Sequence, residues 1–480
     1  LLTSSGDLNL SYNPQNGLLN GTSLNSISAG YTYNSYGEVT GYNAEYGTVD
    51  LFNTTYVQDS LGRIKELTET IKGVTNNYKY NYSTYGYLTE VLRNDTTISV
   101  YDYDANGNRI SASINPASGT GGVTDTASYD AQDRMNVYGN TLYAYTNRGD
   151  LRYKVTGPDT TIYFYDDFGN LTNTVLPDGT YIDYIIDAQN RRIAKKVNGL
   201  VTKRWLYQDQ LNPVAEIDSA GNIIARYVYG SRINVPDYII KGDSTYFVVS
   251  DHLGSVRLVV NSVTGNIVQE INYDEYGRVL SNSDPEFQPF GFAGGLYDAH
   301  TGLVRFGARD YDPSVGRWTN KDPIGFNGGS SNLYEYSLND PINLFDVNGL
   351  QAVIPHSKLN VNDNYWTRVR AQFERANQIP GILAPPLASY LSGISYWITQ
   401  KTGIPTLIGW LGKAVLNRTF PQGILNGVVI SRTATLGLSI GASVTGWLIA
   451  GVAWETGLMF GSMITALFSD YGDPPKNSCK

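Results

Sequence analysis

The sequence predicts a mainly β fold through residue 350, followed by a mostly α-helical C-terminal domain. Three observations favour this division. The 480-residue chain contains 38 Tyr and 50 Gly residues, and tyrosine at this density suits strands, where one ring face packs and the hydroxyl reaches water. A short motif of alternating aromatic residues and a turn recurs through residues 1–285. The motif stops after Leu350, and long uncharged runs follow.

Each copy of the motif predicts a β-hairpin. Alternating residues such as Tyr101 and Tyr103 are typical of a half-buried strand. An Asp-x-x-Gly or Asn-Gly step then forms a turn in which Gly or Asn accepts a positive φ, and the chain returns as a second strand. Clear copies are YTYNSYGEVTGY (31–42), YVQDSLGRIKEL (56–67), YNYSTYGYLTEV (80–91), YDYDANGNRI (101–110), YFYDDFGNLTNT (163–174) and INYDEYGRVLS (271–281). The turn glycines Gly37, Gly62, Gly86 and Gly107 are spaced by 25, 24 and 21 residues.

One hairpin is marginally stable, so the units must stack into a continuous sheet. Over roughly residues 30–285, the pattern resembles the YD repeats of the Rhs/YD-repeat family. That family includes bacterial Rhs proteins, the C component of insecticidal Tc toxins and the teneurins. The resemblance implies a β-sheet that spirals and closes into a hollow shell. A generic tyrosine-rich β-solenoid or adhesin stalk is the alternative, because the repeat period alone does not separate the two.

Residues 286–350 are similar to the Rhs repeat-associated core. The matching blocks are Gly291-Phe292, Gly295-Leu296-Tyr297-Asp298, Thr301-Gly302-Leu303, Arg309-Asp310-Tyr311-Asp312-Pro313, Gly316-Arg317-Trp318, Asp322-Pro323-Ile324-Gly325, Asn332-Leu333-Tyr334-Glu335-Tyr336 and Asn339-Asp340-Pro341-Ile342. The resemblance implies that this core closes the shell and releases the C-terminal part by self-cleavage after the Leu of an Asp-Pro-x-Gly-Leu motif. The corresponding block is 346–350, so we expect the cut between Leu350 and Gln351. Val347 stands where the family usually has a rigid Pro.

The resemblance also implies an aspartic-protease mechanism for this cleavage. Two carboxylates held close together share a proton, so that one acts as an acid and the other as a base. By motif position Asp310 and Asp322 match that pair, and Arg309 matches an accessory cation. The alternative is that both aspartates cap turns beside Pro or Gly. At most, we expect a single-turnover self-cleavage and no multi-turnover active site.

Other catalytic patterns are weak. We interpret His252 as a structural histidine in a strand turn rather than as the partner of Asp251 in a catalytic pair, because no nucleophile motif accompanies it. No metal-ligand spacing or phosphate-binding loop is present, and we expect neither a cofactor nor a metal. Cys479 is the single cysteine, so an intrachain disulfide cannot form.

The C-terminal part differs from the rest in charge and hydropathy. Residues 351–480 carry 10 basic and 5 acidic side chains, whereas the rest of the chain is acidic. Residues 364–376 present Trp and Phe on one predicted helical face, and residues 433–454 are 22 uncharged residues, long enough to cross a bilayer core. We interpret this part as a membrane-active effector that either forms pores or inserts a helical hairpin. A compact soluble helical domain and an enzymatic toxin such as a nuclease are alternatives. Nucleic acid is disfavoured because basic and aromatic residues do not interleave.

These features predict an Rhs-type polymorphic toxin whose shell encloses an effector, secreted or delivered to a target cell, with its C-terminal part inserted in a membrane. The expected partners are a cognate immunity protein, a delivery machinery or other toxin components, and the target membrane. The alternative is a cell-surface YD-repeat scaffold for adhesion, with residues 351–480 as its anchor. Because an initiator Met and a signal peptide are missing, we expect the sequence to be part of a longer protein.

Overall fold

The computed structural model describes residues 1–115 and 122–354, together with the backbone of two short strands at 423–425 and 428–430. The chain divides into two units, Leu1–Lys358 and Leu359–Lys480. The first unit contains a 27-stranded antiparallel sheet, a four-stranded antiparallel sheet and three 3-10 helices. The mainly β part of the predicted fold is confirmed.

Each strand of the large sheet pairs with the next strand in the sequence. The strands are β1 (Ser4–Ser5), β2 (Leu8–Tyr12), β3 (Leu19–Leu24), β4 (Ile27–Tyr33), β5 (Val39–Tyr46), β6 (Val49–Gln58), β7 (Ile64–Ile71), β8 (Val74–Tyr82), β9 (Leu88–Arg93), β10 (Thr96–Tyr103), β11 (Arg109–Ile114), β12 (Val123–Tyr129), β13 (Met135–Tyr138), β14 (Thr141–Tyr145), β15 (Leu151–Thr156), β16 (Asp159–Tyr165), β17 (Leu171–Val175), β18 (Tyr181–Ile186), β19 (Arg192–Val197), β20 (Leu200–Tyr207), β21 (Pro213–Ile217), β22 (Ile223–Val228), β23 (Tyr238–Lys241), β24 (Ser244–Ser250), β25 (Val256–Asn261), β26 (Ile267–Tyr273) and β27 (Val279–Asn282).

The Asp-x-x-Gly turns have the backbone geometry that the sequence predicts. In one of them Gly62 has a φ of +81° and donates its N–H to the Asp59 carbonyl at 3.0 Å. The Asp59 side chain accepts the N–H groups of Leu61 at 2.8 Å and Arg63 at 3.0 Å. A short carboxylate and a left-handed glycine together satisfy the turn backbone, which explains the recurrence of these two residue types.

Because successive strands are antiparallel, alternate turns lie at opposite edges of the sheet. One edge carries mostly two-residue turns, for example Asn198-Gly199 with φ of +49° and +80°. Most five-residue turns of the repeat motif lie at the other edge, which we call the signature-turn edge; the turn 218–222 between β21 and β22 is an exception. The turns of the signature-turn edge are 34–38, 59–63, 83–87, 104–108, 130–134, 146–150, 166–170, 187–191, 208–212, 251–255 and 274–278.

The sheet winds back on itself within the first unit. One hydrophobic core contains Leu8, Ile27 and Phe52 from the first strands together with Phe247 and Val260 from β24 and β25. Strands more than 200 residues apart in sequence therefore pack face to face, as a spiralling sheet requires.

Residues 286–350, which we call the core segment, fold against the signature-turn edge. They form 3-10 helices at Phe292–Gly294, Gly325–Gly328 and Ser337–Asn339, and the strands β28 (Leu296–Tyr297), β29 (Val304–Phe306), β30 (Arg309–Asp312) and β31 (Arg317–Trp318). Their interior is aromatic: Phe306 lies 5.9 Å from Trp318 and 5.9 Å from Tyr336, measured between ring centroids.

Hydrogen bonds join the core segment to at least three signature turns. Arg305 donates to Asn170 at 2.7 Å, Arg317 to Asn108 at 2.9 Å, Tyr334 to the Gly149 carbonyl at 2.8 Å and Asn339 to the Gly107 carbonyl at 2.8 Å. The partners in each pair are more than 100 residues apart. The core segment thereby covers this edge of the sheet.

Three carboxyl groups near this edge have only uncharged hydrogen-bond donors. Glu275 accepts the Tyr101 hydroxyl at 2.9 Å, Asp340 accepts the Asn343 amide at 2.8 Å, and Glu335 accepts the Asn339 amide at 3.0 Å. Burial raises the pKa of each of the three carboxyl groups to about 7. A substantial fraction of each group is therefore protonated near neutral pH.

In the second unit the structure describes one antiparallel pair, β32 (Gly423–Leu425) with β33 (Val428–Ile430). The predicted helices at 364–376 and 433–454 lie outside the described residues. Among the described residues, no helix has the length and apolar character needed to span a bilayer.

We expect Gly149→Ala to destabilise the protein more than Gly221→Ala does. Both glycines have nearly the same φ, +97° and +96°, so the backbone strain of the substitution is matched. A Cβ at Gly149 would lie 2.5 Å from the Tyr334 hydroxyl, whereas nothing lies within 4 Å at Gly221. The expected difference in free energy of unfolding is about 1–3 kcal/mol, measured by urea unfolding with tryptophan fluorescence. Equal effects would show that the contact with the core segment does not contribute to stability.

The melting temperature should fall as the pH rises from 5.5 to 8. The raised pKa values of Glu275, Glu335 and Asp340 mean that the folded state binds more protons than the unfolded state over this range, so folding is favoured at the lower pH. We expect a fall of at least about 3 °C, measured by differential scanning fluorimetry. A Glu275→Gln/Glu335→Gln double variant cannot ionise at two of these positions and should show a flatter pH dependence. The same slope in both proteins would contradict the assignment.

Candidate functional site

Two of the predicted site residues, Arg309 and Asp310, point to opposite faces of strand β30. Neighbouring side chains on a strand point to opposite faces, and Arg309 and Asp310 are neighbours. Arg309 reaches Asp322 and Asp346, whereas Asp310 reaches arginines on the other side. The structure therefore brings Arg309 and Asp322 together but places Asp310 elsewhere.

Asp310 is held by two buried guanidinium groups. Its Oδ1 lies 2.9 Å from Arg192 and its Oδ2 lies 2.9 Å from Arg305, and the side chain is 1% exposed. Because Arg192 belongs to β19, this cluster fastens the core segment to the large sheet. Removing one partner of such a buried pair leaves an uncompensated charge, which is strongly destabilising.

Arg309 connects the two carboxylates of the opposite side. Its Nη2 lies 2.9 Å from Asp322 Oδ2 and 3.3 Å from Asp346 Oδ2. Its Nε donates to the Gly349 carbonyl, and its guanidinium stacks 4.1 Å above the Trp318 ring. Burial lowers the pKa of Arg309, although the two carboxylates oppose that shift. Because arginine remains charged in proteins, Arg309 can hold Asp322 and Asp346 beside the backbone segment that contains Gly349.

The backbone segment around Gly349 lies in a loop closed by paired backbone hydrogen bonds. Phe345 donates to the Val353 carbonyl at 3.0 Å, and Val353 donates back at 2.8 Å. Within the loop Gly349 has a φ of +68°, and a Cβ there would lie 2.3 Å from the Phe306 carbonyl oxygen. Only glycine fits this position, because it combines a left-handed backbone with close approach to another chain segment.

Asp346 holds the tip of the loop through its backbone amides. Its Oδ1 accepts the Leu350 N–H at 3.0 Å. Burial raises the pKa of Asp346, while Arg309 and the N–H groups of Gln351, Leu350 and Gly349 oppose this shift. Of these three groups, the Gln351 N–H belongs to the Leu350–Gln351 peptide bond, so the Asp346 carboxyl lies beside the nitrogen of that bond.

Asp322 approaches the same peptide bond from the carbonyl side. A Cβ built on Gly328 would lie 2.6 Å from Asp322 Oδ2 and 3.0 Å from the Leu350 carbonyl oxygen, so both atoms converge on this glycine. Burial raises the pKa of Asp322 to about 6; Asp346 adds to the shift, and Arg309 and the Ile324 N–H oppose it. Two acids of raised pKa thus flank one peptide bond, an arrangement suited to acid–base hydrolysis.

Sequence reasoning located most of this site and missed one member. Arg309, Asp322, Leu350 and Gln351 lie together, and all line one cavity with Asp346. The sequence pattern assigns Asp346 only to the boundary motif. Its signal was its position as the first residue of that motif, four residues before the expected cut.

His252 lies in a signature turn. Asp251 accepts the N–H groups of Leu253 at 3.0 Å and Ser255 at 2.9 Å, and the His252 Nε2 lies 2.6 Å from the Ile342 carbonyl. The histidine therefore links the turn to the core segment, in keeping with a structural role. Among the described residues, no group of three or more His, Cys, Asp or Glu side chains is arranged to hold a metal ion.

Comparison with known proteins finds two groups of relatives. A family model described as the teneurin YD-shell matches residues 1–342. Human Teneurin-4 is 30% identical over 370 residues, covering 74% of this chain and 13% of that protein. Teneurin-m of Drosophila melanogaster is 27% identical over 420 residues, covering 82% of this chain and 14% of that protein. The chain thus spans only a small part of the length of these relatives.

Two solved structures share the fold at lower identity. The Photorhabdus luminescens Tc holotoxin pore aligns with a TM-score of 0.51 and 18% identity, over 73% of this chain and 19% of that chain. A TcdB2–TccC3 crystal structure aligns with a TM-score of 0.51 and 18% identity, over 71% of this chain and 20% of that chain. The repeats, the spiralling sheet and the family match agree, and the chain belongs to the YD-repeat family as a member of the teneurin YD-shell family.

Proposed function

We propose that this chain is a YD-repeat shell of the Rhs toxin type that cuts itself between Leu350 and Gln351 and so releases the segment that follows. One observation carries the proposal: Arg309 bridges Asp322 and Asp346 beside this peptide bond. Asp346 accepts the amide N–H of Gln351, and Asp322 Oδ2 and the Leu350 carbonyl oxygen both lie close to Gly328.

The proposed hydrolysis uses the two acids in different protonation states. Asp322 donates its proton to the Leu350 carbonyl oxygen while ionised Asp346 takes a proton from water, and the water oxygen bonds to the carbonyl carbon. In the resulting gem-diol, Asp346 passes its proton to the nitrogen of Gln351 as the C–N bond breaks, and Asp322 recovers a proton from one hydroxyl. The products are a carboxyl group at Leu350 and an amine at Gln351.

The structural neighbours support a toxin context. One solved TcdB2–TccC3 structure is described as lacking a hypervariable C-terminal region. In this chain the repeat pattern stops after Leu350. We propose that residues 351–480 are the corresponding variable effector, membrane-active and secreted or delivered to a target cell. Its proposed partners are other toxin or delivery components, an immunity protein and the target membrane.

A second function is favoured by the identity to teneurins, which at 30% exceeds the 18% to the Tc structures. In that function the chain is a cell-surface interaction scaffold and residues 351–480 anchor it. Such a scaffold needs no cleavage, so a purified chain that stays intact would favour it.

The purified wild-type chain should contain a fragment that begins at Gln351, and Asp322→Asn should stay full-length. The amide cannot donate the carboxyl proton, so cleavage should slow by at least about 100-fold. Intact-mass spectrometry of both proteins measures this.

Asp310→Asn, with folding checked by circular dichroism, should still cleave, because Asp310 contacts Arg192 and Arg305 instead of the peptide. Loss of cleavage in a folded Asp310→Asn protein would instead support the pair Asp310 and Asp322.

Self-cleaved wild-type protein should release dye from vesicles that contain anionic lipid, whereas uncleaved Asp322→Asn should release little. The 22-residue uncharged run at 433–454 is long enough to insert once freed, and the basic excess of residues 351–480 favours an anionic surface. Fluorescence dequenching measures the leakage. Nicking of added DNA or RNA without leakage would favour the nuclease alternative.

A further inference from the structure

Three successive residues of the core segment adopt a left-handed backbone. Ser337, Leu338 and Asn339 have φ of +49°, +55° and +53°. This conformation is unfavourable for residues other than glycine, because their Cβ approaches the backbone. The turn is held by Asn339, which donates to the Gly107 carbonyl at 2.8 Å and to Glu335 at 3.0 Å. Strained segments of this kind cluster at functional sites.

The strained turn borders the cleavage site. Ser337 lines the cavity that is also lined by Asp322, Asp346, Leu350 and Gln351. Ser337 is 3% exposed and its side chain lies beside the Tyr336 hydroxyl, but among the described residues neither hydroxyl makes a hydrogen bond of good geometry. Buried hydroxyl groups are nearly always hydrogen-bonded, to protein or to ordered water.

The cavity is large enough for water. Its volume of about 30 Å³ exceeds the space that one water molecule needs. A water in it would have polar partners, because the cavity is lined by three acids (Asp322, Glu335 and Asp346), by Ser330 and Ser337, and by the peptide itself. Hydrolysis of the Leu350–Gln351 bond requires one water molecule at this place.

We propose that Ser337 is a positioning residue that holds the hydrolytic water through its Oγ. This inference rests on the proposed function, namely that the Leu350–Gln351 peptide bond is cut. Ser337 Oγ accepts a hydrogen bond from one water proton, while the other water proton points to Asp346 and passes to it. The water oxygen then faces the Leu350 carbonyl carbon. Ser337 forms no covalent bond and is unchanged by the reaction.

The left-handed backbone makes a decisive substitution possible. Glycine adopts a positive φ without strain, so Ser337→Gly removes the hydroxyl and relieves the backbone. Ser337→Ala removes the hydroxyl and keeps the strain. If Ser337 only shaped the turn, Ser337→Gly would cleave as fast as wild type or faster. If its hydroxyl holds the water, both variants must slow equally although their stabilities differ.

The test follows cleavage of the full chain made by cell-free translation, in a pulse–chase assay resolved by gel. We expect Ser337→Gly and Ser337→Ala each to slow cleavage about tenfold, the effect of one hydrogen bond. The melting temperature of Ser337→Gly should be at or above that of wild type when both carry Asp322→Asn, which keeps them intact. The pH profile of cleavage should keep its shape in Ser337→Gly, because both acids remain.

The outcomes separate this inference from the proposed function. Cleavage of Ser337→Gly at the wild-type rate, with Asp322→Asn inactive, would overturn the role of Ser337 and leave the proposed function standing. Trapping of the Leu350 acyl group by hydroxylamine would show an ester on Ser337 and overturn the water-holding role. A wild-type chain that never cleaves would overturn both.

Discussion

The five-residue turn of the repeat is the constraint on which the rest of the structure depends. Its carboxylate or amide side chain satisfies the backbone amides of the turn, and its glycine accepts a positive φ. Because consecutive antiparallel strands place alternate turns on opposite edges, most of the long turns gather at one edge. That edge offers backbone carbonyls and short polar side chains, which are the groups that the core segment binds.

Buried charged side chains have two different roles in the core segment. On one side of β30, Asp310 is neutralised by Arg192 and Arg305 and fastens the segment to the large sheet. On the other side, Arg309 is shared by Asp322 and Asp346, which leaves two acids whose pKa values are raised by burial. The charge of a carboxylate between two cations is fully balanced and serves a structural role, whereas two carboxylates with one cation can share a proton. This difference in charge balance separates the scaffold from the candidate site.

The two groups of relatives share the shell fold at very different identities, 30% for human Teneurin-4 and 18% for the Tc structures. The fold is specified by a local turn and by the alternation of apolar and polar residues along each strand. It therefore tolerates wide sequence change, because each hairpin needs only a few residue types at fixed spacing. What the segment after the shell does is not constrained by the fold. The function therefore has to be argued from the loop around Leu350 and not from the sheet.

By itself the sequence determined the hairpins, the antiparallel sheet and the segment that contains Arg309, Asp322 and Leu350. These features follow from local alternation, turn chemistry and motif spacing. Adjacent residues of a strand point to opposite faces, so the sequence could also have excluded Asp310 from the face that carries Arg309. Only the tertiary structure decided that Asp346 is the acid beside Asp322. The two are brought together by Arg309 and by the loop between Phe345 and Val353, contacts that no local pattern specifies.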